Sequence, residues 1–291
     1  MTQARVEAGL RRVERVVDSE IAPVGSFTVR RALPARERHA VGPWVFLDHF
    51  GPFQSTPGVD GVGAHPHAGI ETVTYLLEGR NEHRDSAGNH GIVGAGGAQW
   101  MTAGRGVVHS EHPLDTVQHG IQLWTSLPRA QKLATPRYQR IEAQAIPQVE
   151  RDASRIRVIA GEFGNSKGPA QTLMPLFLWH ASLPPGARFD AAIDAAFEAA
   201  AYVIAGEGRF GADDAVIARQ GQLVIWAQGE GALHAENGES GPLEVLLFGG
   251  APAEGPLVFH GPFVMNSVDQ VRAAEIAYRT GKMGSLEEEA V

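Results

Sequence analysis

The sequence predicts an all-β protein built from two similar β domains, with a short helical segment near the C-terminus. Short runs rich in β-branched and aromatic residues, each bounded by turn residues, are typical of a sandwich or barrel. These runs are SFTVRRAL, WVFLDHF, ETVTYLLEG, GIQLWTSL, RIRVIAG, PLFLWHASL, AAYVIAGEG, QLVIWAQG and LEVLLFGG. The 35 glycines and 18 prolines are spread along the chain and supply turns between the runs.

Two stretches of the chain echo each other and suggest a duplication. TVTYLLEGRNEH and AAYVIAGEGRFG both consist of a strand closed by a Glu/Gly turn, and each is followed by further strands. A repeat of this kind predicts two related units. We therefore expect one β domain over residues 1–140 and a second over residues 141–291.

Helical patterning is strongest close to the C-terminus. In VDQVRAAEIAYRTGKMG the apolar residues recur at near-helical spacing, with Ser267 as a suitable N-cap and Gly281 as a stop. The preceding stretch GPFVMNS is apolar in its middle. We expect this tail to pack back on the N-terminal barrel.

The composition excludes several classes of function. The formal net charge of −8, from 25 basic and 33 acidic residues, argues against direct binding to nucleic acid, which needs a basic face. The chain has no cysteine, so a metal would need nitrogen and oxygen ligands, and 12 histidines are present. No signal peptide and no stretch of 18 apolar residues are apparent. We expect a cytoplasmic protein that does not interact with membranes.

A pair of histidines opens the run HPHAGIETVTYLLEG. On a strand, His65 and His67 project from the same face and direct both imidazoles into one space. Pro66 between them indicates the start or the edge of a strand. Two converging imidazoles are typical of a metal site. A surface turn with solvated rings explains the pair equally well when it is considered alone.

A second pair favours the metal site. In GGAQWMTAGRGVVHSEH, His109 and Glu111 are again two residues apart and follow two valines, so they too can share a strand face. Enough chain lies between the two pairs for an intervening hairpin. Neighbouring antiparallel strands bring opposite side chains to about 5 Å. The two pairs together predict a pocket of three imidazoles and one carboxylate.

This ligand set suits a divalent transition metal. It resembles the arrangement of two histidines and one carboxylate that binds Fe(II), with one extra histidine. We expect one ion per chain, with Fe(II) as the first choice and Mn, Ni, Cu, Co or Zn as alternatives. In an octahedral ion, four protein ligands leave two positions for water, for a chelating substrate, or for substrate and O₂.

The same motifs resemble the pirin family of the cupin superfamily. The resemblance rests on HPHAGIETVTYLLEG, QWMTAGRGVVHSE, GPFVMNS and WVFLDHFGPF, which together span most of the chain. It implies a bicupin, in which two β-barrels are stacked and the N-terminal barrel holds a single metal. By this resemblance the ligands are His65, His67, His109 and Glu111.

Other ionisable residues near these motifs are expected to have lesser roles. Glu71 stands where the general cupin pattern has a ligand, but the pirin pattern takes its carboxylate from Glu111. We expect Glu71 either to support an imidazole from outside, for example by fixing its tautomer, or to have a structural role. In the C-terminal half, His234 and Glu236 lack a second pair and are expected to be solvated. We expect His83, which is followed by Asp85, to lie in a turn.

The resemblance implies two functions of different classes. The first is a metal-dependent dioxygenase that acts on a flavonol such as quercetin, with Glu111 as the catalytic base and a small aromatic substrate and O₂ as partners. The second is a regulatory protein whose metal redox state is read by a protein partner. Metal storage fits poorly, because one site per chain stores little.

Overall fold

The computed structural model describes residues 9–36, 38–212, 215–238 and 241–286. Over these residues the protein is built from β-strands and one α-helix, as the sequence predicts. In this part of the chain no helix is both long and apolar enough to cross a membrane.

The first half of the described chain contains the strands β1 (Val13–Asp18), β2 (Glu20–Val24), β3 (Phe27–Leu33), β4 (Trp44–Gln54), β5 (Val62–His67), β6 (Ile70–Glu78), β7 (Arg80–Asp85), β8 (His90–Gly94), β9 (Ala98–Thr102), β10 (Val107–Pro113), β11 (Val117–Ser126) and β12 (Arg137–Ile141). Short 3₁₀ turns span Arg129–Gln131 and Ala143–Ala145. The remaining strands are β13 (Gln148–Arg151), β14 (Ser154–Ala160), β15 (Glu162–Phe163), β16 (Ser166–Lys167), β17 (Leu176–Leu183), β18 (Arg188–Ala192), β19 (Glu198–Ala205), β20 (Glu207–Phe210), β21 (Val216–Arg219), β22 (Gln222–Trp226), β23 (Ala232–Asn237), β24 (Leu243–Gly250), β25 (Val258–His260) and β26 (Phe263–Met265), and the helix is α1 (Val268–Arg279).

The chain forms two compact units, each assembled from segments that are distant in sequence. The first barrel comprises Glu20–Ile146, Pro169–Met174 and residues 253–286. The second barrel comprises residues 9–19, Pro147–Gly168 and Pro175–Pro252. Each unit thus receives one terminal segment of the chain. The division into barrels over residues 1–140 and 141–291 that do not separate easily stays a prediction.

The two units share one strand order. In the first barrel a seven-stranded sheet runs β12-β9-β6-β11-β4-β3-β2, and a four-stranded sheet runs β5-β10-β7-β8. In the second barrel the corresponding orders are β1-β22-β19-β24-β17-β14-β13 and β18-β23-β20-β21. The duplication that the sequence suggests therefore exists at the level of topology, with β1 in the place that β12 takes in the first barrel.

The second barrel has a filled interior. Buried side chains from its four-stranded and its seven-stranded sheet form one hydrophobic cluster, which includes Phe189, Phe210, Trp179 and Trp226. The aromatic rings pack directly, with 6.2 Å between the ring centroids of Phe210 and Trp226. This core follows from alternating apolar residues whose strands direct them inwards.

The C-terminal segment belongs to the first barrel. Phe263 of β26 pairs with Ala68 through a parallel bridge and is buried in a cluster with Val108 of β10. Helix α1 begins after Ser267, whose Oγ accepts a hydrogen bond from the backbone N–H of Gln270 at 3.2 Å. The predicted N-cap is therefore confirmed, and it stabilises a terminus with otherwise unpaired N–H groups.

Candidate metal centre and its cavity

Three imidazoles converge between β5 and β10. In this antiparallel pair His109 lies opposite His65, and Val107 lies opposite His67. Because side chains alternate along a strand, all three rings point to the same face. Nε2 of His65 lies 3.1 Å from Nε2 of His67 and 2.9 Å from Nε2 of His109. The structure thus brings together three of the four residues that the sequence predicts as ligands, with one ring nitrogen of each within 4.8 Å of the others.

Backbone carbonyls orient two of these rings from outside. Nδ1 of His65 lies 2.8 Å from the carbonyl oxygen of Gly63, and Nδ1 of His67 lies 3.1 Å from that of Pro262. A carbonyl only accepts, so each Nδ1 carries the proton and donates it. Each Nε2 then presents its lone pair to the shared centre, which is the form that binds a metal. The Pro262 carbonyl belongs to the C-terminal segment, so that segment helps to build the site.

His109 is oriented by a second histidine. Its Nδ1 lies 3.4 Å from Nδ1 of His83, and Nε2 of His83 lies 3.1 Å from a carboxylate oxygen of Asp85. The hydrogen bonds are consistent if His83 donates to Asp85 and accepts from His109. The expectation that His83 and Asp85 form a turn pair is wrong: both lie on β7, which directs their buried side chains towards β10. Their period-two spacing with Asn81 was the available sequence signal.

Burial keeps His67 and His109 neutral. Burial, together with the adjacent His65, lowers the pKa of His67 to about 3. Burial also holds the pKa of His109 well below its usual range, with contributions from the neighbouring histidines. Neutral imidazole is the ligating form, so these rings are ready to coordinate a cation at neutral pH.

The distances fit a metal ion at the centre. Two nitrogens that bind one ion at about 2.1 Å and at right angles to each other stand about 3.0 Å apart. The observed separations are 3.1 and 2.9 Å. With protons on Nδ1, the Nε2 lone pairs face one another in a buried space and repel unless a cation lies between them. The donor set therefore fits a transition metal, and imidazole alone does not select among several of them.

Glu111 lies beside this group but is not part of it. Its Oε1 accepts hydrogen bonds from Thr74 Oγ1 at 2.6 Å, from Gln99 Nε2 at 2.5 Å and, more weakly, from Asn81 Nδ2 at 3.5 Å. All these hydrogen bonds end on Oε1. Among the described residues, none donates to Oε2, which can therefore accept from a ligand. Glu111 lines the same cavity as His65 and His67. Its role as a ligand remains a proposal.

Tyr138 contacts both His83, which orients His109, and Gln99, which holds Glu111. Its ring stacks on His83 with 4.4 Å between centroids, and its hydroxyl donates to Oε1 of Gln99 at 3.3 Å. Gln99 in turn donates to Glu111. Burial, together with the charge of Glu111, raises the pKa of Tyr138, so its phenol stays neutral and remains a donor. One side chain therefore contacts the groups that hold His109 and Glu111.

Glu71 does not support an imidazole. It is fully buried and accepts hydrogen bonds from Thr102 Oγ1 at 2.7 Å and from Thr125 Oγ1 at 3.4 Å. Burial raises the pKa of this carboxyl group. Of the two roles expected for Glu71, these contacts favour the structural one, and the imidazole tautomers are fixed by Gly63, Pro262 and His83.

A cavity of about 490 Å³ opens over the histidines between the two sheets of the first barrel. Its volume lies within the range of small-molecule sites, and aromatic rings form much of its wall. Phe46 and Trp124 stack at 4.1 Å, and the Trp124 ring packs edge-on against His67 at 4.8 Å. Its aromatic lining is Phe27, Phe46, Phe50, Phe53, Trp124 and Phe259.

The histidine and glutamate pair of the second barrel has local partners. Nδ1 of His234 lies 2.8 Å from a carboxylate oxygen of Asp190, and Glu236 lies 3.9 Å from the guanidinium of Arg188. Among the described residues, the metal-binding side chains that cluster are His65, His67 and His109 of the first barrel. A metal content of one ion per chain stays a prediction.

Two family models match the chain. One described as Pirin covers residues 26–125, and one described as Pirin C-terminal cupin domain covers residues 178–284. A pirin-like protein of Solanum lycopersicum is 38% identical over 257 residues, which are 88% of this chain and 87% of that protein. Pirin of Homo sapiens is 35% identical over 261 residues, 88% of each chain.

Solved structures give the same result for the fold. A quercetin 2,3-dioxygenase from Acinetobacter baumannii has a TM-score of 0.88 and 30% sequence identity, and the alignment covers 96% of this chain and 100% of that one. Two cupin β-domains in one chain define a bicupin. The chain belongs to the pirin family, as its motifs predicted.

Proposed function

We propose that this protein is a metal-dependent dioxygenase of the quercetin 2,3-dioxygenase type, acting on a flavonol with O₂. The observation that carries the proposal is the convergence of three imidazoles at the wall of an aromatic cavity, with a carboxylate beside them. The similarity to the quercetin 2,3-dioxygenase of Acinetobacter baumannii supports it.

The proposed ligands are His65, His67, His109 and Glu111. Fe(II) is the proposed ion, with Mn, Ni, Cu, Co and Zn as alternatives for the same donors. When bound, the ion would supply Lewis acidity towards an enolate oxygen and redox contact with O₂. The outer hydrogen bonds from the imidazole Nδ1 atoms keep the donor geometry fixed before the ion arrives.

Glu111 is the proposed base. The hydroxyl of the flavonol enol must lose its proton before the ring becomes electron-rich enough to react with O₂. Thr74 and Gln99 hold Oε1 of Glu111, so Oε2 is the oxygen that would bind the ion and, by moving partly away from it, accept this proton. In that step the substrate O–H bond breaks, an O–H bond to the carboxylate forms, and the negative charge passes to the substrate oxygen.

The aromatic wall excludes water and holds a planar substrate. Phe46 and Trp124 form a stacked pair that reaches His67. A flavonol that presents its oxygens to the histidines would lie along this wall. Apolar burial supplies binding free energy without competing hydrogen bonds, so the few polar groups decide the orientation.

A second candidate is a redox-sensitive regulatory protein that acts through a protein partner. The observation that favours it is the hydrogen bond between His67 and the carbonyl of Pro262. Pro262 lies beside the exposed residues His260 and Gly261, so a change at the centre could alter this surface. In this function the protein would bind metal without consuming O₂.

The test is O₂ uptake with quercetin, measured on protein reloaded with Fe(II). We expect Glu111→Gln to keep part of its metal and to lose about 10²–10⁴-fold in turnover, because it loses the general base. Glu236→Gln, the same change in the pair of the second barrel, should behave like the parent. Near-parent turnover by fully loaded Glu111→Gln would make Glu111 a ligand only. Absence of uptake by the parent with Fe, Mn, Ni, Cu and Co would favour the regulatory function.

A further inference from the structure

The cavity has a second polar end, formed by Arg31 and Asp48. Arg31 lies opposite Asp48 on the antiparallel strands β3 and β4. Nε of Arg31 donates to Oδ1 of Asp48 at 2.8 Å, and Nη2 donates to Oδ2 at 2.7 Å. The Asp48 side chain is only 5% exposed, whereas that of Arg31 is 32% exposed. This two-point contact fixes the plane of the guanidinium.

Part of the Arg31 guanidinium has no partner within the described protein. Both of its side-chain hydrogen bonds go to Asp48, from Nε and Nη2, which leaves the N–H groups of Nη1 for another acceptor. Among the described side chains that line the cavity, Arg31 alone carries a fixed positive charge. The two hydrogen bonds to Asp48 hold the Arg31 guanidinium in place, so the direction in which Nη1 can donate is fixed.

Other polar side chains around the cavity each make a contact within the protein. Thr74 and Asn81 donate to Glu111. The side-chain amide of Gln122 lies 2.7 Å from Thr74 Oγ1, and the amide nitrogen of Gln118 lies against the backbone carbonyl of Arg80. A ligand that enters the cavity can therefore contact the histidines and Glu111 at one end and the Nη1 group of Arg31 at the other end.

A column of stacked groups connects the two places. The Arg31 guanidinium lies 4.8 Å from the centre of the Phe46 ring, Phe46 stacks on Trp124 at 4.1 Å, and Trp124 contacts His67 at 4.8 Å. A ligand that touches both ends must be elongated and must lie along this aromatic wall. It also needs an oxygen acceptor at each end, since both ends present donors or a metal site.

We propose that Arg31 is a specificity-determining residue: it donates from Nη1 to a ring hydroxyl or phenolate oxygen at the far end of a planar aromatic substrate. This inference rests on the proposed function, because it assumes that the other end of the substrate meets the histidines. It adds a requirement on the substrate, namely a second oxygen remote from the oxygens that chelate the metal.

Equilibrium binding tests the proposal without turnover. Fe(II)-loaded protein under anaerobic conditions would be titrated with 3-hydroxyflavone, 3,7-dihydroxyflavone and 3,4′-dihydroxyflavone, with tryptophan fluorescence as the signal. The last two add one hydroxyl at either end of the ring system. We expect the parent to bind one of them about tenfold more tightly than 3-hydroxyflavone, since hydrogen bonds to charged groups are among the stronger ones.

Variants of Arg31 should remove this preference and leave the affinity for 3-hydroxyflavone near that of the parent. Arg31→Met leaves Asp48 buried without its partner, so the double variant Arg31→Met with Asp48→Leu replaces the pair with apolar groups that are better tolerated. Arg30→Met is the matched control, because Arg30 is exposed on the opposite face of the same strand. It should keep the preference of the parent.

Two results would overturn the proposal. If the parent binds all three flavonols equally, or if the folded double variant keeps the preference, Arg31 does not recognise the far oxygen, and the dioxygenase proposal is unaffected. If the parent binds none of the three, this proposal falls, and flavonols are also excluded as substrates in the proposed function.

Discussion

The two barrels have the same strand order, but the first encloses a cavity lined partly by polar side chains, whereas the second is filled by apolar ones. In the first barrel, Thr74, Gln99 and Gln122 form one row across β9, β6 and β11. This row faces the cavity and holds Glu111 by hydrogen bonds. The corresponding row of the second barrel, across β22, β19 and β24, lies in the hydrophobic core and consists of Ala201, Val224 and Leu247.

Strand register explains why the histidine and glutamate pair of the second barrel does not form a similar site. On β23 the residues that enter the core are Leu233 and Ala235. His234 and Glu236 alternate with them and therefore point to the other face. On β10 the parity is reversed, and His109 and Glu111 face inwards. The comparison teaches that a pair two residues apart becomes a site only where the strand directs it inwards, and only where a second strand brings partners.

The largest effect is expected from separating the first barrel from its C-terminal segment. A protein ending at residue 145 lacks Phe263 and Met265, which are buried against Ala68 and Val108, and also the carbonyl that orients His67. We expect it to be insoluble or to unfold at much lower denaturant concentration than the full chain, since loss of a single buried Phe already costs about 3–5 kcal/mol. Urea unfolding of both proteins measures this. Equal midpoints and solubility would show that residues 1–145 fold alone.

The next largest effect is expected in metal content, which should depend on histidines of the first barrel and not on those of the second. We expect His109→Ala to lose its ion during chelator washing, because one of three converging imidazoles is gone and the remaining two hold it weakly. His234→Ala should retain the one equivalent of the parent. Elemental analysis of both proteins, purified in parallel, gives the answer. Two equivalents in the parent, with one lost on His234→Ala, would reveal a site in the second barrel.

Truncation of one phenylalanine in each barrel should have unequal costs. Phe210 is fully buried in the second barrel, so Phe210→Ala should lower the free energy of unfolding by about 3–5 kcal/mol. Phe50 lines the cavity and is only partly buried, so Phe50→Ala enlarges an existing space and should cost about 1–2 kcal/mol. Chemical denaturation monitored by circular dichroism measures both. Equal losses would contradict the contrast between a filled and an open interior.

The smallest expected effect concerns the histidine that supports His109. His83→Phe keeps a ring against Tyr138 but removes the acceptor for Nδ1 of His109. We expect metal affinity to fall about 10–100-fold, the usual cost of losing an outer hydrogen bond to a ligand. Competition with a chromogenic chelator measures this.

Two further variants separate this positioning role from a general loss of structure. His83→Gln offers an acceptor oxygen and should restore part of the affinity. His234→Phe, which removes the partner of Asp190 in the second barrel, should leave metal affinity unchanged. Parent-like affinity in His83→Phe would remove His83 from the support of the centre.

Several features followed from local sequence patterns. The period-two spacing of His65 with His67, and of His109 with Glu111, placed each pair on one strand face, because alternation is a property of any β-strand. The N-cap at Ser267 was equally readable, since a cap depends on a side chain and on backbone groups only a few residues away. The strand-rich pattern likewise predicted the fold class.

Other features depended on contacts between distant segments, which no local pattern encodes. The role of His83 required β7 to lie beside β10, and the orientation of His67 required a carbonyl from Pro262, almost 200 positions away in the chain. The pairing of Arg31 with Asp48 required β3 and β4 to meet in one register. The sequence by itself therefore determined which side chains share a strand face. The tertiary structure decided which faces enclose the cavity and which groups orient the ligands, because sheet pairing sets these distances across long stretches of chain.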